Sequence, residues 1–180
     1  NFLLVMQICV WDTETTGLDE QAEIVEIAIL ALDGACLLST YIRPSIPLTS
    51  AAMAVHGITE EILANAPSWP EVAPQVFTFL NGQTVVAHNA DFDARMLAQT
   101  NQRYGLTCPD PRNWICTMKM LTAGNNGRWP SLPRAMAMSG LELTTRDSGT
   151  LHQAGFDAEC CRRIWIAHTL KRVAVTGLSH

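Results

Sequence analysis

A chain of 180 residues, 48% of them hydrophobic, has the length and apolar content for one domain with a sizeable core, which argues against a disordered chain. No apolar stretch reaches the roughly 18 to 20 residues that span a bilayer, and the run Phe2 to Trp11 has neither a basic leader nor a small-residue cleavage site, so neither a membrane span nor a secretory signal is expected. The net charge of −5 argues against a general nucleic-acid coat, but residues 1–94 carry −11 and residues 95–180 carry +6, so an acidic half faces a basic one.

In chain order, the near-continuous apolar run from Phe2 to Trp11 predicts a central strand buried on both faces, stopping at Asp12-Thr13-Glu14 and the turn-forming Thr15-Thr16-Gly17-Leu18. Ile24 to Leu32 and Ala35 to Ile42 read as two more strands, joined by the tight-hairpin pair Asp33-Gly34. Prolines then punctuate short helical pieces, including Thr49 to Val55 and Glu71 to Leu80. Thr84 to Ala87 predicts a fourth strand leading into His88-Asn89, followed by a helix over Ala90 to Tyr104 that Gly105 closes. Asn113 to Cys116 predicts a fifth strand, Ala123 to Pro133 a Gly/Asn/Pro-rich surface loop, and Gly155 to about Val173 a last long helix. The expected architecture is α/β, a five-stranded mixed sheet flanked by helices, in one domain over 1–180 with its core at about 6–173. The opening Asn1, in place of Met, is expected to belong to a longer product. Six cysteines without a C-x-x-C pattern, two of them adjacent at Cys160-Cys161, read as core thiols of a reducing, cytoplasmic compartment.

Side chains two apart on a strand share a face, so Asp12 and Glu14 project together from a strand end, where α/β sheets collect ligands. Paired carboxylates repel unless a cation lies between them, and hard oxygen donors suit Mg²⁺ or Mn²⁺. An exposed acidic strand end is the plain alternative. On the last helix, Asp157 shares a stripe with Cys161, Ile164, Trp165 and His168, an unfavourable place for a carboxylate lacking a partner or a metal. Asp93 falls in the first turn of the helix after strand four, where the macrodipole alone also favours an acid. His152, five residues before Asp157, faces the same site only if it lies just ahead of the helix. Carboxylates from separated segments with a histidine of near-neutral pKa suit phosphodiester hydrolysis, in which cations stabilise the attacking and leaving oxygens and the histidine takes a proton from water.

Three segments, Asp12-Thr13-Glu14, His88-Asn89-Ala90-Asp91-Phe92-Asp93 and His152-Gln153-Ala154-Gly155-Phe156-Asp157, occur in the order of the three exonuclease motifs of the DEDDh family. From about Met6 to Ala167 the chain resembles a DnaQ-like 3′→5′ exonuclease of the ribonuclease H-like superfamily; Thr16-Gly17-Leu18 and Val55-His56-Gly57-Ile58-Thr59 agree, and Arg43-Pro44 with Trp114 to Lys119 is similar to the exonuclease X subfamily. The resemblance implies a ribonuclease H-like fold and two divalent cations, Mg²⁺ or Mn²⁺. In it Asp12 bridges both metals, Glu14 and Asp157 hold the metal that activates water, Asp93 serves the second metal, and His152 is the general base. Asp91 falls at a variable position, while Thr15, Thr16, Leu18, His56 and Asn89 correspond to substrate-binding positions. Gly155-Phe156 departs from the family's usual aliphatic pair, and His88 and His168 read as structural.

The implied substrate is a DNA 3′ end, single-stranded, with RNA ends or short oligoribonucleotides as the alternative; no membrane is implied, and a polymerase or other nucleic-acid-processing machinery is a candidate partner. A haloacid-dehalogenase-type phosphatase requires two aspartates where Asp12 and Glu14 stand, and leaves His152 and Asp157 without a task. A non-cutting binding module of the same fold does not explain five catalytic side chains retained together.

Overall fold

A computed structural model describes residues 8–142 and 153–176, with side chains on the last helix up to Thr169. Five strands, β1 (Ile8–Thr15), β2 (Ile24–Ala31), β3 (Cys36–Tyr41), β4 (Thr84–Ala87) and β5 (Asn113–Cys116), form one sheet in the order β3-β2-β1-β4-β5. The β1–β2 and β2–β3 pairs are antiparallel, and the β1–β4 and β4–β5 pairs are parallel, so the sheet is mixed as expected. Seven α-helices are described: α1 (Ser50–His56), α2 (Glu60–Leu63), α3 (Trp69–Leu80), α4 (Ala90–Arg103), α5 (Thr117–Leu121), α6 (Leu132–Met138) and α7 (Ala154–Thr176).

Alternation along β1 divides its side chains between two cores. Cys9 and Trp11 pack with Ile27, Ile29 and Val85 against Trp69, Val72 and Val76 of α3 and Met96 and Leu97 of α4. Val10 enters the opposite core with Ala28, Leu30 and Val86 against Ala154, Ala158 and Cys161 of α7. Each large apolar side chain so buried contributes about 1.5–3 kcal/mol, and together they clamp β1 between two helical layers. Local chemistry sets the boundaries. Asp33 accepts the Ala35 N–H at 2.9 Å while Gly34 takes φ 95° in the β2–β3 turn. At the start of α3 the Glu71 carboxylate accepts the Ser68 N–H at 2.7 Å, as a capping box requires.

Several boundaries differ from the sequence expectations. The first strand does not stop at the acids: pairing with β2 continues through Asp12↔Ala28 and Glu14↔Glu26 to Thr15, so both carboxylates stand on the strand itself. Helix α3 begins two residues earlier than expected, with Pro70 in its first turn, where a missing N–H costs nothing. The segment expected as a loop over Ala123 to Pro133 contains a 3₁₀ turn at Ala123–Asn125 and the start of α6, where Pro133 again sits in a first turn. Helices α2 and α5, of four and five residues, are too short to show a helical period. None of the six cysteines forms a disulfide, but Cys36 is exposed and only Cys9, Cys116, Cys160 and Cys161 are buried. Among the described residues no helix is long and apolar enough to cross a membrane.

Candidate active site

Strand β1 carries Asp12 and Glu14 on its α7-facing side, at the end where the parallel strand β4 also terminates. Helix α7 crosses that side and delivers Asp157 from its first turn. Asp12, Glu14 and Asp157 each offer a carboxylate oxygen, all within 4.8 Å of one another. Asp93 arrives from the other layer. Helix α4 packs on the opposite sheet face, and Asp93, 2% exposed, accepts a 2.8 Å hydrogen bond from the hydroxyl of Thr13, the β1 residue between the two acids. The site is therefore a convergence of both helical layers on one strand end.

A fifth carboxylate, which sequence reasoning missed, joins them. Glu26 lies opposite Glu14 in the β1–β2 ladder, is buried, and accepts the N–H of Ala154, the first residue of α7, at 3.1 Å. This bond fixes the start of α7 three residues before Asp157. The available signal was a lone acid within the apolar strand Ile24–Ala31.

Crowding these groups away from water pushes their protonation upward. The Glu14 carboxyl is raised to about 8, first by burial and then by Asp157, Glu26 and Asp93. Asp93 is raised to about 7 by burial, against the opposing hydrogen bonds of Thr13 and the backbone. Asp12 is held well above the usual carboxylate range by burial, then by Asp93, Asp157, Glu14 and Glu26. Burial also raises Glu26, while the Ala154 N–H opposes it. Among the described residues no cationic side chain figures in the groups acting on these four acids. A crowded set of hard oxygen donors that raise one another's protonation fits Mg²⁺ or Mn²⁺.

Around the cluster, Thr15 and Thr16 are buried and shape the turn: the Thr15 hydroxyl donates to the Gly17 carbonyl at 2.7 Å, and the Thr16 hydroxyl accepts the Glu23 N–H at 3.0 Å. Leu18 emerges from that turn 75% exposed. His56 Nδ1 accepts the Ile58 N–H at 3.0 Å, which leaves Nε2 to donate to the Thr15 carbonyl at 3.2 Å and ties α1 to the end of β1. Asn89, half-buried, turns the chain from β4 into α4 with φ 72°. Asp91 points away, exposed and paired with Lys119 at 2.6 Å. His168 is half-buried on α7. His152 lies outside the described residues.

The sheet order and flanking layers define a ribonuclease H-like fold, the class in which a strand-end acid cluster of this kind is at home. The profile of an exonuclease family, that of RNase T, matches residues 9–164, and the chain belongs to this DnaQ-like exonuclease family. The chain is 42% identical over 95 residues to an uncharacterized exonuclease of Escherichia phage 186, covering 53% of this chain and 49% of that protein. It is 40% identical over 112 residues to exodeoxyribonuclease 10 of Escherichia coli K12, covering 61% and 44%. These alignments span about half the length of either relative. Among solved structures, exonuclease X in complex with 5′-overhanging duplex DNA is 30% identical, with a TM-score of 0.69 over 96% of this chain and 94% of that one.

Proposed function

We propose that this chain acts as a single-domain 3′→5′ exonuclease that removes nucleoside 5′-monophosphates from the 3′ end of DNA with the help of two divalent cations. The observation that carries the reading is the Asp12–Glu14–Asp157 group of oxygens within 4.8 Å, with Asp93 brought to it from the opposite layer. The DNA in the exonuclease X complex supports DNA as the polymer, and its 5′ overhang leaves a recessed 3′ end of the kind such an enzyme would attack.

In this reading Asp12, Glu14 and Asp157 would hold one cation, and Asp12 with Asp93 would hold the second. Bound there, the cations supply charge stabilisation to the attacking and leaving oxygens. His152, assigned by its motif position, accepts a proton from the attacking water. A new P–O bond forms, and the bond to the 3′ oxygen of the penultimate nucleotide breaks. That oxygen takes up a proton as the mononucleotide leaves. Thr13 keeps Asp93 oriented, and Glu26 keeps the first turn of α7 in place beside Asp12 and Glu14. The turn Thr15-Thr16-Gly17-Leu18, His56 and Asn89 form the wall for the terminal nucleotide.

The test is incubation of 5′-labelled single-stranded DNA and RNA, with free or blocked 3′ ends, in Mg²⁺, Mn²⁺ or EDTA. A stepwise ladder is expected on free-ended DNA with either metal and not in EDTA. Equal degradation of the blocked strand overturns the 3′→5′ direction, and faster RNA digestion overturns the choice of DNA.

A further inference from the structure

Beyond α5 the chain reverses sharply and returns to the end of β4. The Gly127 N–H donates to the Thr122 carbonyl and the Arg128 N–H to the Asn125 carbonyl, each at 3.0 Å, while the Asn125 side-chain amide donates to the Arg128 carbonyl at 3.0 Å. Asn126 and Gly127 take φ 53° and 73°, left-handed values that such a reversal needs and that favour Asn and Gly. His88, the residue after β4, fastens the far side. Its Nε2 lies 3.1 Å from the Pro130 carbonyl, which makes it the donor, and its Nδ1 lies 2.9 Å from the Thr117 hydroxyl. His88 is five residues from Asp93, so the loop is tied to the strand end that the candidate active site occupies.

This loop presents Trp129. Trp11 and Trp69 are buried and Trp114 and Trp165 half-buried, whereas Trp129 is 65% exposed. Arg128 is exposed beside it in sequence, and Arg134, exposed in the first turn of α6, bonds through Nε to the Asn125 side chain at 3.3 Å. Among the described residues neither arginine forms an ion pair. An exposed indole on a loop that, with the first turn of α6, also carries exposed guanidinium groups offers stacking to bases and charge to phosphates, which is the chemistry that holds single-stranded nucleic acid without reading its sequence.

We propose that Trp129, with Arg128 and Arg134, is the binding surface for the nucleotides of the substrate strand that lie beyond the one being removed. The proposal rests on the exonuclease reading above, and His88 acts in it as a positioning residue that fixes the loop to the site.

The experiment compares native protein with Trp129→Ala, Trp129→Phe and Arg128→Ala on two substrates: the p-nitrophenyl ester of thymidine 5′-monophosphate, which offers a single nucleotide, and 5′-labelled DNA or RNA strands of about ten nucleotides. Binding of the same strands in EDTA is followed by fluorescence anisotropy. For Trp129→Ala the ratio of kcat/KM on the strand to that on the ester should fall roughly tenfold, with a matching loss of strand affinity. Trp129→Phe should recover most of it, and Arg128→Ala should flatten the salt dependence of binding. An unchanged ratio with unchanged affinity overturns the proposal and leaves the indole to a protein contact. An equal loss on ester and strand also overturns it, as the mark of a loop that only supports the site. If native protein cleaves neither substrate, the exonuclease reading fails, but strand binding in EDTA still decides the surface: about tenfold weaker binding by Trp129→Ala upholds it, and equal binding overturns it.

Discussion

Glu23 and Asp93 are carboxylates with almost no exposure, 1% and 2%, yet their surroundings are opposite. Glu23 is met by Arg103 at 3.0 Å, the Tyr104 hydroxyl at 3.0 Å, the Ser45 N–H at 2.9 Å and the Ser45 hydroxyl. Its charge is answered from within the chain, and the network ties β2, α4 and the segment after β3 together. Asp93 receives the Thr13 hydroxyl and otherwise joins a pool of acids, Asp12, Glu14, Glu26 and Asp157, in which one carboxylate raises the protonation of the next. A buried acid with its own cation ties elements of the fold together; crowded acids that raise one another's protonation are suited to a cation from outside.

The largest contrast should come from neutralising one acid in each region. Asp12→Asn is expected to lower nuclease turnover about a thousandfold or more while raising the thermal midpoint of the metal-free protein, because folding no longer has to bury a carboxyl that desolvation and acidic neighbours disfavour. Glu23→Gln should do the reverse, costing about 2 kcal/mol in denaturant unfolding with turnover per folded molecule retained. That cost lies below the value for a fully buried pair because the Arg103 side chain keeps 27% exposure. Equal behaviour of the two variants in either assay would mean that Glu23 and Asp12 do not differ in role.

Within α4 the same contrast recurs two residues apart. Asp93→Asn should reduce turnover by about a hundredfold or more, whereas Asp91→Asn should stay within about twofold and leave the unfolding midpoint essentially unchanged, since its bond to Lys119 is solvent-exposed. Next in size is Glu26. Glu26→Ala removes the acceptor for the Ala154 N–H and should lower turnover by about 10–100-fold, while Glu26→Gln, whose amide oxygen still accepts that bond, should retain most of it.

The smallest effect is on pH dependence. Glu14 and Asp93 keep their protons to about 8 and about 7 in the folded chain, whereas unfolded carboxyls lose theirs near ~4. Over that interval the folded state binds more protons than the unfolded one, so stability falls as pH rises from about 4 to 8. The thermal midpoint in EDTA should therefore drop across this window, and saturating Mg²⁺ should shrink the drop. A midpoint that rises with pH in EDTA contradicts the crowding of these acids.

Much of this was legible in the sequence because the informative segments obey simple periods. Thr84–Ala87 and Asn113–Cys116 are the strands their β-branched and apolar residues predict, and Asp157 stands out as a carboxylate on an apolar helical stripe. Glu26 was not singled out because its meaning depends on register: only the β1–β2 ladder, whose strands are joined by no tight hairpin, sets it opposite Glu14. Pro133 and the glycines before it read as a loop, since a proline that breaks a helix and one that begins it are the same residue until the cap is located. The role of His88 as a fastener of the loop carrying Trp129 also depends on a contact 42 residues away in sequence.

Asp12, Glu14 and Asp157 gather their carboxylate oxygens within 4.8 Å, and in the function proposed above they hold a cation. Titrating Mn²⁺ calorimetrically at about pH 7 into native protein and Asp12→Asn, in buffers of differing ionisation enthalpy, tests it most directly. Native protein should bind the ion saturably with release of about one proton or more, because Glu14 is largely protonated before the ion arrives, and Asp12→Asn should lose both signals. Identical titration curves for the two proteins, or native binding with no proton release, would contradict that reading.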